Sequence, residues 1–201
     1  MMANNYCPKL CIIKSQNCEQ NESDKKASVM MDKLPSANII VTGKWGCGKS
    51  TLINAALQKI NTPINFFETS GLDIYFGYNG TQLIGEFKKL VEGEDNFQCI
   101  WYCIFAPSMR LTFEEIEFIT YLYKICIPVV IVMTQCFSKK QNDMFQKGIE
   151  EELKETVGED IPVIQLLALE KEIEFDDEVK VIPARGLEEL INCSMNYISK
   201  T

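Results

Sequence analysis

Eight consecutive residues carry the clearest chemistry in this sequence. The pattern G-x-x-x-x-G-K-S/T is matched by Gly43-Lys44-Trp45-Gly46-Cys47-Gly48-Lys49-Ser50, between an apolar run and a helical run. Glycines at this spacing let the backbone curl, so that successive N–H groups and a helix N-terminus face phosphate oxygens. Lys49 then supplies positive charge to the β- and γ-phosphates, and the Ser50 hydroxyl offers Mg²⁺ an oxygen ligand. The motif predicts a nucleoside triphosphate site that also includes Thr51, the next residue.

The composition excludes several other kinds of chemistry. None of the 201 residues is His, which excludes His metal ligands and Ser–His or Cys–His nucleophile pairs. The net charge of −8 argues against a nucleic-acid surface, which needs clustered Lys and Arg. The longest apolar runs are shorter than the ~18 residues of a membrane span, so none is predicted. The nine cysteines form no C-x-x-C pair, which predicts reduced thiols and a cytoplasmic location.

The elements that must position the loop alternate along the chain. Short apolar runs and amphipathic stretches follow one another from residue 38, as is typical of a parallel α/β sheet. Strands are predicted at 38–42, 64–68, 98–106, 128–134 and 161–169, and helices at 49–60, 81–91, 112–125, 138–157 and 186–199. Thr112-x-x-Glu115 and Ser138-x-x-Gln141 predict capping boxes at two helix starts. An acidic excursion or hairpin is predicted over 170–180.

The first 36 residues differ from the rest of the chain. They are polar and show no periodicity, so we expect residues 1–36 to form a largely disordered tail. The remaining residues, 37–200, then form one domain.

The phosphate loop lies within a longer stretch that resembles a known family. The segments GKWGCGKSTLINAAL, ETSGLD, IWYCIFAPSMRLTFEEIEFITYL, PVVIVMTQCFSKK and VIQLLALEKEIEFDDEVKVIPARGLEELI resemble the G domains of Era-like GTPases, of the TRAFAC class, over residues 36–198. The resemblance implies a three-layer α/β P-loop NTPase fold of Ras type, with a mostly or entirely parallel five-stranded sheet. It implies GTP or GDP with Mg²⁺ as ligands, and GTP hydrolysis as the reaction.

The resemblance also implies roles for residues after the phosphate loop. Glu68 stands where members carry the Asp of Asp-Thr-Pro-Gly, which implies that Ser50 and Glu68 hold the metal. Gly71 is the implied sensor of the γ-phosphate, so that Lys49 and Gly71 are the implied catalytic residues. Leu72 stands where Ras-type proteins keep a water-orienting Gln, and a Leu side chain cannot orient water. We therefore expect slow hydrolysis.

The motif that selects the base departs most from the family. Members often carry Asn-Lys-x-Asp where this chain has Thr134-Gln135-Cys136-Phe137. The implied base contacts are Thr134, Gln135 and the backbone at Ala168. No carboxylate replaces the Asp in this motif, so the residues themselves leave guanine and adenine open, and guanine is implied by the resemblance alone.

The interval between the first two motifs is short. Only 18 positions separate Ser50 from Glu68, and a helix and a strand occupy most of them. We therefore expect switch I and the antiparallel edge strand 2 of a standard G domain to be missing, through a true deletion or a truncated gene model. Three functions remain open: a slow GTPase, a non-hydrolysing pseudo-GTPase that acts as a binding module, and another P-loop ATPase or kinase. The sequence names no protein effector.

Overall fold

A computed structural model describes residues 10–14, 37–60, 62–69, 80–92, 96–175 and 178–199. Strands and helices alternate along most of these residues. The strands are β1 (Leu10–Lys14), β2 (Ala37–Gly43), β3 (Ile64–Thr69), β4 (Cys99–Phe105), β5 (Val129–Thr134), β6 (Val163–Gln165), β7 (Lys171–Phe175) and β8 (Glu178–Ile182). The helices are α1 (Lys49–Lys59), α2 (Gly80–Val91), α3 (Phe113–Lys124), α4 (Lys139–Val157) and α5 (Leu187–Ile198).

Five parallel strands form the centre of the sheet, in the order β3-β2-β4-β5-β6. This confirms the predicted three-layer α/β fold and its five-stranded parallel sheet. Helices α1 and α5 pack on one face, against a cluster that includes Ile39 and Trp101, while α2, α3 and α4 cover the other. Every residue of β5 is buried, as expected for a strand covered on both faces.

The sheet also has an antiparallel edge strand that comes from an unexpected part of the chain. In the stretch from Ser50 to Glu68, all of which is described except residue 61, α1 is followed by a short connection and β3, with no strand between them. The edge beside β3 is instead occupied by β1, with Leu10 opposite Thr69 and Lys14 opposite Asn65. Leu10–Lys14 lies in the segment expected to be a tail, and the rest of residues 1–36 is outside the described residues. Its Leu-Cys-Ile-Ile run suits a strand because branched apolar residues pack well on a pleated surface.

Several local expectations are met by the helices and the hairpin. Helix α3 begins after Thr112, whose backbone N–H donates to the Glu115 carboxylate at 2.8 Å, as a capping box requires. Helix α4 begins after Ser138, but the Ser138 side chain makes no capping hydrogen bond, so the capping box predicted there was wrong. Strands β7 and β8 form an antiparallel hairpin, so the acidic segment is a hairpin. No helix in the described ranges is long and apolar enough to cross a membrane.

Candidate functional site

The phosphate loop connects the end of β2 to the start of α1, and glycine is required where it turns. Gly43 has a φ of 141°, and a Cβ atom there would lie 2.3 Å from the Cys103 carbonyl oxygen. Gly48 has a φ of 91° and precedes the first residue of α1. Both are conformations that side-chain-bearing residues rarely adopt. The backbone therefore takes the curled path that presents the N-terminus of α1 to an anion.

The Lys49 side chain lies within the loop. It is 5% exposed, and its ammonium donates to the carbonyl oxygens of Gly43 at 3.2 Å and Lys44 at 2.9 Å. A cation held by backbone carbonyls at the start of α1 adds to the positive end of the helix dipole. The Lys49 ammonium therefore lies inside the loop, at the start of α1.

Two side-chain oxygens meet at the ends of α1 and β3. The Ser50 hydroxyl donates to the Glu68 carboxylate at 2.8 Å. These residues fit Mg²⁺, because the ion prefers oxygen ligands and is commonly held by one or two protein groups together with waters and phosphate oxygens. No group of three or more potential metal ligands occurs among the described residues, so the fit depends on this pair. Gly71, the predicted γ-phosphate sensor, lies outside the described residues.

A nearly buried ion pair ties the loop to α3. The Lys44 ammonium lies 2.8 Å from the Glu115 carboxylate, whose side chain is only 3% exposed. Burial raises the pKa of the neighbouring Tyr102 hydroxyl well above its usual value, and the Glu115 charge raises it further. Trp45, the next loop residue, is 79% exposed. Lys44 thus anchors the loop to α3, while the Trp45 side chain is exposed to solvent.

Two buried thiols meet where the loop contacts the sheet, Cys47 from the loop and Cys103 from β4. The Cys47 thiol contacts that of Cys103, and this hydrogen bond, with help from the Lys49 charge, lowers the pKa of Cys47 despite burial. The same hydrogen bond and burial raise the pKa of Cys103 well above its usual value. The Cys47 carbonyl accepts a hydrogen bond from the Thr134 hydroxyl at 2.6 Å. Cys47 therefore connects the phosphate loop to both β4 and β5.

A pocket of about 350 Å³ opens beside the loop, at the carboxyl ends of β5 and β6. Five of the predicted nucleotide contacts line it: Gly48, Thr51, Thr134, Gln135 and Ala168. Ligands of open α/β sheets bind at this edge, where successive loops converge. Residues of the phosphate loop and of the base motif therefore line one pocket, although Gly48 and Thr134 are 86 positions apart in the sequence.

The pocket is also lined by residues that are not among the predicted nucleotide contacts. Phe137, Glu170 and Lys171 line it, and the Lys171 ammonium lies 4.6 Å from the centre of the Phe137 ring. The hairpin supplies this ammonium, because Lys171 is the first residue of β7.

Arg185 fixes the loops of this pocket. Its backbone N–H and carbonyl pair with the carbonyl and N–H of Leu167, at 2.9 and 3.0 Å. Its guanidinium donates to the Cys136 carbonyl at 3.0 Å. No sequence signal marks this role, because Arg185 follows the hairpin and reaches the loops of the pocket only in the folded chain.

Comparison with known proteins decides the family. A protein-family model described as the KAP family P-loop domain matches residues 20–160, more than half of the chain. The chain belongs to this KAP family. A search of curated protein sequences finds no match.

Solved structures show the same fold in other proteins. Toc33 from Arabidopsis thaliana, in complex with Mg²⁺ and GMPPNP, aligns with a TM-score of 0.62 at 14% identity, over 87% of this KAP-family chain and 89% of that chain. Toc33 in complex with GDP and Mg²⁺ aligns with the same values. At this identity the likeness establishes the fold, that of a P-loop GTPase G domain, and no further property.

Proposed function

We propose that this KAP-family chain binds GTP or GDP with Mg²⁺ at the phosphate loop and hydrolyses GTP slowly, as a protein of the Era-like type. The observation that carries the proposal is the joint placement of Lys49 and of the Ser50–Glu68 pair at the start of α1. A buried ammonium beside a helix N-terminus suits phosphate oxygens, and two oxygen ligands suit the metal. The crystallised complexes of Toc33 with GMPPNP, GDP and Mg²⁺ support the same ligands.

The proposed chemistry depends on positioning and charge. The backbone amides of the loop and the Lys49 ammonium hold the phosphates and stabilise the negative charge that develops during transfer. Ser50, with Glu68 hydrogen-bonded to it, would hold Mg²⁺, which neutralises phosphate charge when bound. Gly71 is proposed to contact the γ-phosphate. Leu72 offers no polar group to orient the attacking water, which is why slow turnover is proposed.

A non-hydrolysing binding module is the second candidate. The connection between α1 and β3 runs only from Ile60 to Pro63, which leaves no segment of switch I length there. Without such a segment, the γ-phosphate would be less enclosed and water less well controlled. Nucleotide would then be bound without turnover.

The cellular setting is also proposed. Six of the cysteines in the described ranges are free, which supports a reducing compartment such as the cytoplasm. They are Cys47, Cys99, Cys103, Cys126, Cys136 and Cys193. The net charge of −8 does not favour a nucleic-acid partner.

Titration with fluorescently labelled nucleotides tests the proposal. We expect saturable binding of GTP and GDP that strengthens with Mg²⁺, weaker binding of ATP, and at least about thirtyfold weaker binding by Lys49→Ala, because a desolvated charge partner is lost. Phosphate release over hours then separates the slow GTPase from the binding module. Absence of binding, or identical binding by Lys49→Ala, refutes the proposal.

A further inference from the structure

Recognition of guanine requires an acceptor that the base motif does not supply. The guanine edge presents O6 as an acceptor and N1–H and N2–H₂ as donors, whereas the adenine edge presents N6–H₂ as a donor and N1 as an acceptor. Phe137 occupies the position at which Era-like GTPases often carry the Asp of Asn-Lys-x-Asp. Its ring cannot accept these hydrogen bonds. A pocket that selects guanine must therefore take its acceptor from another element.

The segment between β6 and β7 brings a carboxylate to the pocket. Among the residues that line it, Glu170 is the one acidic side chain. An ionised carboxylate is an acceptor with two oxygens, which matches adjacent N1–H and N2–H donors. Facing adenine, the same carboxylate would oppose the N1 lone pair, which is unfavourable.

The next residue supplies the complementary donor. The Lys171 ammonium also lines the pocket, and its position 4.6 Å from the centre of the Phe137 ring is favoured by a cation–π interaction. An ammonium only donates, so it matches guanine O6 and opposes the adenine N6 amino group. Phe137 therefore has a role as the support of Lys171.

Hydrogen bonds hold the segment before Glu170 in place. The Leu166 N–H donates to the Met133 carbonyl at 2.7 Å, and Leu167 pairs with Arg185 in both directions. Lys171, directly after Glu170, opens β7 and is paired with Ile182 of β8. Glu170 is thus held between two fixed segments, which limits the entropy lost when it binds a ligand.

We propose that Glu170 is the residue that selects guanine, with Lys171 as its donor partner, in place of the Asp that the base motif lacks. This inference rests on the proposed nucleotide-binding function. The hairpin then determines which base is accepted, while the phosphate loop provides affinity that is common to all nucleoside triphosphates.

Base-exchanged nucleotides and Glu170→Gln test the assignment. We measure binding of GTP, ITP, XTP and ATP with Mg²⁺. The wild-type chain should prefer GTP over ITP, which lacks the N2 amino group, and over ATP. In Glu170→Gln the preference for GTP over ATP should fall at least about tenfold, the usual scale for one paired contact to a base edge. Binding of XTP should strengthen relative to GTP, because the Gln amide can donate to the xanthine C2 carbonyl and accept from N1–H.

Glu172→Gln is the matched control. Glu172 is exposed, lies on β7 and is not among the pocket residues, so its removal changes the charge equally without changing the base preference. A wild-type preference for ATP, or a GTP:ATP ratio unchanged in Glu170→Gln, overturns the inference while leaving nucleotide binding intact. If no nucleotide binds to the wild-type chain, the proposed function itself fails. Thermal unfolding of each variant verifies that it is folded.

Discussion

Replacing Lys44 by Met should destabilise the protein through the buried carboxylate that it leaves behind. The Lys44 side chain is 22% exposed and that of Glu115 is 3% exposed. The change removes the ammonium 2.8 Å from Glu115 and leaves the Thr112 N–H, also at 2.8 Å, as a remaining donor to that carboxylate.

The expected cost lies between two known limits. Exposed ion pairs contribute at most about 1 kcal/mol, whereas breaking a fully buried pair costs about 3–5 kcal/mol. For a pair with one buried partner and one remaining hydrogen bond, we expect a loss of about 2 kcal/mol in the free energy of unfolding. For a chain of this length the melting temperature should fall by about 4–8 °C.

Urea denaturation at pH 7 measures this cost. Lys88→Met is the control, because the Lys88–Glu92 pair is exposed on both sides and its loss should cost less than about 0.5 kcal/mol. Combining Lys44→Met with Glu115→Gln should cost less than the sum of the two single changes, since they share one interaction. If Lys44→Met unfolds within about 0.5 kcal/mol of the wild type, the argument from the buried carboxylate is refuted.

Three further outcomes are expected. Gly43→Ala should destabilise the chain much more than Gly46→Ala in thermal unfolding. A Cβ atom at residue 43 would lie 2.3 Å from the Cys103 carbonyl oxygen, whereas one at residue 46 would have nothing within 4 Å. Equal effects of the two substitutions would contradict this reasoning. Among the described thiols, iodoacetamide at pH 8 should modify exposed Cys126 first and Cys99 only on unfolding, because burial raises the pKa of Cys99 to about 12, as peptide mapping would reveal. Deleting residues 1–14 should lower the urea midpoint and promote self-association, measured by light scattering, because the edge of β3 is then unpaired. An unchanged urea midpoint and unchanged light scattering would argue against the β1–β3 pairing.

The parallel sheet could be predicted because each strand is marked locally. The buried runs that became β2, β4 and β5 are largely apolar, and the helices between them are amphipathic or capped. The meeting of Ser50 and Glu68 was likewise predictable, since α1 and β3 bring both to the same edge of the sheet.

The remaining features depend on contacts between distant parts of the chain. Leu10–Lys14 is a run of five residues among polar neighbours, and its strand is stabilised by pairing with β3 more than 50 positions away. The contact of Lys171 with Phe137 likewise depends on where the hairpin lies over the base loops. Spacing along the sequence does not encode either arrangement.

Backbone amide NMR of the labelled chain during titration with GTP and Mg²⁺ tests the central claim most directly. We predict saturable shifts at the loop amides, from Gly46 to Ser50, and at Ala168 in the pocket, with much smaller shifts in Lys49→Ala. Loop amides that do not move at millimolar GTP, or that move equally in Lys49→Ala, would contradict the assignment of this loop as the phosphate site.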